Sequence, residues 1–277
     1  MIQDKSQLLN AFKAEFASSV NNVLINSTGE RVNFREVSVF EQKSLSKMMI
    51  QNENRKDIVY DAQCALINKL ALNEGFDVYA LTEFDRIKIL MEVYQSNFFK
   101  NKTEFKCKEC GCQNQYELDF SKAVENMDKI KLEELEYEYS DKVRSFKFRF
   151  AYPLVKTVSG FYRFYAGKYR NVNQKERQVL DNMGNIEYIN LFIKSVEVSH
   201  VGSEAEPLRA DFASMKYADI EELLAMFPQD IFYNENGIIN FVTKNYLEKL
   251  NGAFEKPTCQ HCGAVYDESV GGAGDFL

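Results

Sequence analysis

Apolar residues recur every three or four positions along several stretches of the chain, which is the spacing that forms one face of an α-helix. Thr82 and Asp85 have the spacing of a capping box, which marks the first turn of a helix. An amphipathic segment over residues 6–20 predicts a helix that either joins the core or docks on a neighbouring protein. The same periodicity predicts further helices over 40–50, 57–72, 81–96, 155–169, 175–182, 186–196, 214–227 and 237–250.

Shorter stretches alternate polar and apolar residues, which is typical of a half-buried β-strand. Residues 23–37 predict a β-hairpin that turns around Gly29. A second hairpin is predicted from residues 135–139 and 146–152, with acidic side chains on its first strand facing basic side chains on its second. Residues 193–200 also carry a strand pattern, which overlaps the end of a predicted helix.

Composition excludes several classes of function. The chain has 277 residues, a net charge of −7 and a sequence pI near 5.2, which argues against binding nucleic acid over its whole surface. No secretory leader and no apolar run of about 18 residues is present, so we expect neither secretion nor a membrane span. Six cysteines are too few for a disulfide scaffold in a chain of this length.

Four of the cysteines form two copies of one motif, Cys-x-x-Cys-Gly. The motifs are Cys107-Lys-Glu-Cys110-Gly and Cys259-Gln-His-Cys262-Gly, and each precedes a stretch that alternates like a strand. In each motif the glycine permits a positive φ, so that the backbone can turn and both thiolates can reach one metal ion. The two motifs together predict a zinc ribbon split by a long insertion, with one Zn²⁺ bound by Cys107, Cys110, Cys259 and Cys262.

Four thiolates fill the coordination shell of zinc, so the predicted metal is structural and holds distant parts of the chain together. Dithiol redox chemistry is an alternative, but neither motif opens a helix after a buried strand, where such thiols are activated. His261 could replace one thiolate, although we expect it to point outward. We interpret Cys112 as a bystander and Cys64 as part of the core.

The predicted ribbon divides the chain into four parts. They are an N-terminal amphipathic helix or docking arm (1–20), a β-hairpin with helices and the first half of the ribbon (21–120), an α+β insertion (121–250), and the second half of the ribbon with the tail (251–277). The predicted fold class is therefore α+β, with helices, two short β-hairpins, and a split four-cysteine zinc ribbon that closes a long, mainly helical insertion.

Motifs of catalysis are missing from the sequence. It has two histidines and contains no nucleophile elbow, P-loop or dinucleotide fingerprint, so we predict a protein that is not an enzyme. Asp85 and Arg86 are interpreted as a charge at a helix start and a surface or structural ion pair. A zinc-ribbon nucleic-acid-binding protein is the alternative function. It would use the basic and aromatic residues of 162–170 and the lysines at 100, 102, 106 and 108.

The order of the motifs resembles that of a known protein family. The elements that carry the resemblance are Ser27-Thr-Gly, Leu81-Thr-Glu-Phe-Asp-Arg-Ile, Phe105-Lys-Cys-Lys-Glu-Cys-Gly, a strand ending in Tyr152-Pro153, and the late cysteine motif. From about residue 20 to the end, they resemble the zinc-ribbon baseplate hub subunits of T4-like contractile-tailed bacteriophages.

The resemblance implies a structural or assembly component of the hub in the virion tail, made in the host cytoplasm. The partners it implies are other hub subunits, with the tape-measure protein as a further candidate. It implies no small-molecule substrate and no membrane.

Overall fold

The computed structural model describes residues 20–52, 55–95, 102–117, 119–168, 172, 184, 187–203 and 205–265. The helices predicted over 6–20 and 175–182, and the tail after residue 265, lie outside the described residues apart from residue 20, which begins the first strand. Within the described residues, no helix is both long enough and apolar enough to span a lipid bilayer.

The N-terminal half starts with the predicted hairpin and continues into three helices. Gly29 adopts a φ of 73° in the hairpin turn, where a side chain would be strained. A short 3-10 helix, Val78–Ala80, precedes the third helix. The elements are β1 (Val20–Leu24), β2 (Arg31–Arg35), α1 (Val39–Gln51), α2 (Lys56–Leu70) and α3 (Glu83–Gln95).

The remainder of the chain combines two further sheets with short helices. A two-stranded sheet is followed by α4, and a four-stranded antiparallel sheet has the order β5-β6-β7-β8. The elements are β3 (Lys102–Lys106), β4 (Gln113–Glu117), α4 (Phe120–Asp128), β5 (Leu135–Ser140), β6 (Arg144–Phe150), α5 (Val155–Lys168), β7 (Ile193–His200), β8 (Leu208–Asp211), α6 (Tyr217–Ala225), α7 (Asp230–Tyr233), α8 (Ile238–Val242) and α9 (Glu248–Asn251).

The α+β class and both hairpins are confirmed. On the polar face of the four-stranded sheet, Lys147 pairs with Glu136 at 2.7 Å, and Arg149 pairs with Glu136 at 3.2 Å, as the charge pattern predicted. The opposite face buries Phe146, Phe148 and Phe150. The insertion holds more strand than expected, because β7 and β8 extend the predicted hairpin into a sheet of four strands.

The helix predicted over 186–196 is wrong in its C-terminal half. Of the described residues, only 184 and 187–190 are helical in this region, and β7 begins at Ile193. Ile193 pairs with Phe150, and Val196 pairs with Phe148, so strand pairing decides the conformation of residues whose pattern fits either structure. The helix predicted over 237–250 is confirmed, with a π-helical segment, Thr243–Leu247, between α8 and α9.

Helix α3 lies between two hydrophobic clusters. Phe84, Ile87 and Met91 belong to the cluster that includes the four-stranded sheet, whereas Ile89 and Leu90 belong to the cluster formed with the N-terminal hairpin, α2 and α5. A helix that is covered on all sides has no solvated face for its charged residues. Its charged side chains in the first two turns are therefore buried: Glu83, Asp85, Arg86 and Lys88.

Glu41 connects the hairpin, α1 and α2. Its carboxylate accepts hydrogen bonds from Arg35 at 2.9 and 2.8 Å and forms an ion pair with Lys69 at 2.7 Å. Ser38 and Glu41 also form a capping box at the start of α1. The hydrogen bonds from Arg35, more than any other contact, hold the pKa of Glu41 well below its usual range.

We expect Glu41→Gln to lower the free energy of unfolding by roughly 1–2 kcal/mol at pH 7, since hydrogen bonds to a buried charge are lost. The folded-state pKa of Glu41 is depressed, so its contribution is complete above the unfolded pKa of about 4.3 and is lost as the pH falls further. Urea titrations of both proteins at pH 7 and below pH 4 should therefore show a difference that closes in acid. A difference that stays constant with pH would contradict this role for Glu41.

Candidate metal centre

The four cysteines of the two motifs converge at one point of the structure. Their sulfur atoms all lie within 4.8 Å of one another. The Sγ atoms of Cys107 and Cys262 are 3.7 Å apart, and those of Cys110 and Cys259 are 3.6 Å apart. Four sulfurs at about 2.3 Å from a tetrahedral zinc ion are separated by about 3.8 Å. The cluster therefore has the donor type, number and spacing of a closed site with four cysteine ligands.

The two cysteine turns, residues 107–111 and 259–263, have the same backbone structure. In the first turn the N–H of Cys107 donates to Cys112 O at 2.9 Å, and in the second the N–H of Cys259 donates to Ala264 O at 2.8 Å. Gly111 and Gly263 both have a φ of 73°, as the sequence predicted. The repetition indicates two equivalent halves of one site.

The strands that flank the two turns match as well. Residues 106 and 113 pair across the first turn, and Thr258 pairs with Val265 across the second. The strand predicted after the first motif is confirmed as β4. Only its opening bridge is described after the second motif, since residues 266–277 lie outside the described part of the chain.

The two thiols of the second cysteine turn have different pKa values. The backbone N–H of Cys262, followed by that of His261, lowers the pKa of Cys259 to about 6. The N–H of Ala264 also lowers the pKa of Cys262, but desolvation and hydrogen bonds with the neighbouring thiols outweigh it and raise that pKa to about 12. Thiols bind metal ions as thiolates, so a cation bound between the sulfurs would favour their deprotonated form.

The other candidate ligands lie apart from the cluster. Cys112 contributes only its backbone carbonyl to the first turn, and His261 is exposed, so neither belongs to the four-sulfur group. Cys64 is fully buried in the cluster around α2. The structure therefore agrees with the sequence interpretation of all three.

Asn114 joins the two cysteine turns and was not singled out in the sequence. Its side chain is buried in β4, where its Nδ2 donates to Cys112 O at 3.0 Å and its Oδ1 accepts from the N–H of Gln260 at 2.9 Å. A single amide thus bonds to the backbone of both halves. Its role rests on burial and on contacts with both halves of the site, and neither can be read from the sequence.

The segment before the second cysteine turn is also attached to α4. Asn126 Nδ2 donates to Ala253 O at 3.2 Å, and Lys122 forms an ion pair with Glu255. Phe254 is buried in the hydrophobic cluster that includes the four-stranded sheet. The second half of the site is therefore held by protein contacts as well as by its sulfurs.

A family comparison covers both halves of this site. The model of a family described as T4 bacteriophage base plate protein matches residues 19–264, which include all four clustered cysteines. The chain belongs to this family. Searches of curated proteins and of solved structures each returned no significant match.

Membership in this family confirms the broader part of the resemblance seen in the sequence, namely that to phage baseplate proteins. It gives the chain a structural role in the phage baseplate, and hence a place in the tail of the virion. The four cysteines of this baseplate protein could hold a metal ion.

In this baseplate protein, we expect Asn114→Ala to weaken metal binding 10- to 100-fold while leaving all four sulfurs in place. The loss follows because the two turns would no longer share a hydrogen-bonding partner. Competition with a chromophoric chelator would measure the affinity. Gln115→Ala is the matched control, since that side chain is exposed and bonds to Glu104 on the opposite strand. Equal affinities for both variants would contradict this role for Asn114.

The charged residues at the start of α3 form a buried network in the baseplate protein. Arg86 pairs with Glu83, not with Asp85, and lies 4.2 Å from the ring centroid of Tyr60. The Tyr60 hydroxyl donates to the same carboxylate. Burial is the largest single influence and lowers the pKa of Arg86, but the charge of Glu83, its hydrogen bonds with Arg86 and the neighbouring Tyr60 together raise that pKa above its usual value. The ion pair is therefore structural, and the sequence missed its acidic member.

Asp85 and Lys88 fasten the hairpin turn to α3. Asp85 accepts from the N–H of Asn26 at 2.7 Å and from Thr82 Oγ1 at 2.6 Å, as expected of a residue that caps the helix. Lys88 Nζ donates to Leu24 O and Asn26 Oδ1, both at 2.6 Å. Residues in and directly after the segment that carried the family resemblance thus form buried contacts between the hairpin and the central helix.

The basic and aromatic segment around α5 is used in packing. Tyr162 and Tyr165 are buried, so their rings are not available to stack on bases. Arg163 forms an ion pair with Asp61 at 2.8 Å, and Lys168 pairs with Glu221. Tyr169 and Arg170 lie outside the described residues. The two described tyrosines named for the alternative nucleic-acid function are therefore used in packing.

Proposed function

We propose that the chain is a structural or assembly subunit of the baseplate hub and acts without catalysis. The observation that carries the proposal is the family match over residues 19–264. The order of motifs that resembles hub subunits supports the narrower assignment to the hub. Its partners are then other hub proteins, with the tape-measure protein as a further partner, and the complex assembles in the host cytoplasm before it enters the virion.

The second part of the proposal is that Cys107, Cys110, Cys259 and Cys262 bind one structural Zn²⁺. The support is a four-sulfur cluster with tetrahedral spacing, built on two equivalent turns. The bound ion balances the charge of four thiolates and leaves no position open for a water or substrate. In this proposal the site joins two distant parts of the subunit and takes no part in a reaction.

Reconstitution would test the assignment to the hub. The purified chain would be mixed with each hub protein and with the tape-measure protein, and complexes would be measured by size-exclusion chromatography with light scattering. We expect a stable complex with at least one hub protein. A chain that stays monomeric with every hub protein, yet is recovered in purified baseplates, would place it elsewhere in the baseplate.

A further inference from the structure

Helix α1 is the most exposed long helix of the described structure. Glu41 and Leu45 are its only buried residues, and it packs against α2. Of the 13 large hydrophobic residues that are exposed among those described, five belong to this helix: Val39, Phe40, Met48, Met49 and Ile50. Phe40 is 77% exposed and Ile50 is 79% exposed. Such a concentration of apolar surface is typical of a binding site.

The outer face of α1 is also cationic. On an α-helix, Val39, Phe40, Lys43, Lys47 and Ile50 fall on the side opposite Glu41 and Leu45. Neither lysine pairs with an acidic residue in the part of the chain that the structure describes. The one acidic residue of α1 is Glu41, which is buried and already neutralised. A protein with a net charge of −7 thus presents one face that is both apolar and positive.

We propose that this α1 face, defined as Val39, Phe40, Lys43, Lys47 and Ile50, binds an acidic amphipathic helix of another baseplate protein. The inference rests on the proposed role as an assembly subunit. From Val39 to Ile50 the face is about 16 Å long, which matches three turns of a partner helix. Apolar side chains of the partner would cover Phe40 and Ile50, and its carboxylates would meet the two lysines.

Charge disfavours a second copy of the chain as the occupant. In a two-fold symmetric contact, the same patch of each copy faces its counterpart. An antiparallel pair of α1 helices would therefore bring Lys43 and Lys47 of one copy close to the same residues of the other. Like charges at short range repel, whereas an acidic partner gains attraction from the same lysines.

Incorporation into baseplates provides the first test. A phage that lacks this gene would be complemented with variants, and the amount of the chain in purified baseplates would be measured by quantitative mass spectrometry. We expect Lys43→Glu with Lys47→Glu, and separately Phe40→Ser with Ile50→Ser, to reduce incorporation at least tenfold. The control is Lys244→Glu with Lys249→Glu, which makes the same charge change at exposed positions of the C-terminal helical region. It should stay within twofold of the wild type.

Photo-crosslinking identifies the occupant and does not depend on loss of function. p-Benzoylphenylalanine would replace Phe40, and in a control Leu208, which is 77% exposed on β8. A cross-link from position 40 to an acidic helical peptide of another baseplate protein, lacking at position 208, is the expected result. Cross-links to residues 1–19 of this chain, to a second copy, or to no protein would overturn the proposal.

The two tests separate this inference from the proposed function. Normal incorporation of the wild type and of both α1 double variants would overturn the role of the α1 face and leave the assembly role intact. Failure of the wild type itself to enter baseplates would overturn the assembly role on which the inference rests.

Discussion

Cys107→Ser and Cys259→Ser should each abolish stoichiometric metal binding and remove the cooperative unfolding of the chain. If the cluster holds zinc as proposed, the bound ion contributes on the order of 10 kcal/mol at neutral pH. Closing a loop of more than 100 residues costs on the order of 5 kcal/mol in the chain-entropy model, so metal binding exceeds that cost. Elemental analysis of the purified wild type should give one zinc per chain, and each variant should give almost none.

The matched controls for the ligand variants are Cys112→Ser and His261→Ala. Both residues lie in or beside the cysteine turns but outside the four-sulfur cluster, so metal content and stability should stay at the wild-type level. Hydrogen exchange should show residues 253–265 losing protection first when the metal is chelated. The contacts that then remain are few: the hydrogen bonds with Asn114 and Asn126, the ion pair with Lys122, and the burial of Phe254. A metal-free wild type that unfolds cooperatively would rule out the site.

Arg86→Met should lower the free energy of unfolding by about 3–5 kcal/mol, the usual cost of removing one partner from a buried ion pair. Arg86 is fully buried. In the variant, Glu83 would remain negatively charged and would still accept a hydrogen bond from the Tyr60 hydroxyl, but it would lose its hydrogen bonds from Arg86. Chemical denaturation followed by circular dichroism would measure the change. Glu83→Gln alone should also destabilise, because it leaves the guanidinium buried without a negative charge.

The double variant Glu83→Gln with Arg86→Met tests the pairing directly. It removes both charges and keeps an acceptor for Tyr60, so at least half of the stability lost in Arg86→Met should return. Arg163→Met is the control, since Arg163 is 61% exposed in its ion pair with Asp61 and should contribute less than about 1 kcal/mol. Equal effects of Arg86→Met and Arg163→Met would show that burial of the first pair has no energetic consequence.

Local signals were sufficient for helices such as α1 and α3 and for the first hairpin. Helix α1 begins at a capping box and α3 at a Thr82–Asp85 cap, and both can be found from spacing alone. Non-local pairing was not accessible in the same way. Residues 193–196 have apolar positions that fit a helix or a strand, and their strand conformation is decided by β6, more than 40 residues earlier in the chain.

The candidate metal centre could be predicted because its signal is repeated. Two motifs with the same cysteine spacing and the same glycine predicted that residues near 107 and 260 meet, and the sulfurs do converge. The supporting contacts were not predictable, because an asparagine such as Asn114 has no distinctive spacing. The buried Glu83–Arg86 pair was missed for a related reason. Charged residues usually lie on the surface, and these two are buried because other elements cover α3 on all sides.

The separation of the two cysteine turns along the chain has a consequence for synthesis on the ribosome. Cys110 and Cys259 are 149 positions apart. At about 5–20 residues per second, roughly 7–30 s of translation separate the first pair of thiols from the second. During that interval the nascent chain carries half a site, and β5 to β8 can form before the second half arrives. Closure of the cluster therefore marks a chain whose intervening residues have been made, and a chain truncated before residue 259 cannot complete it.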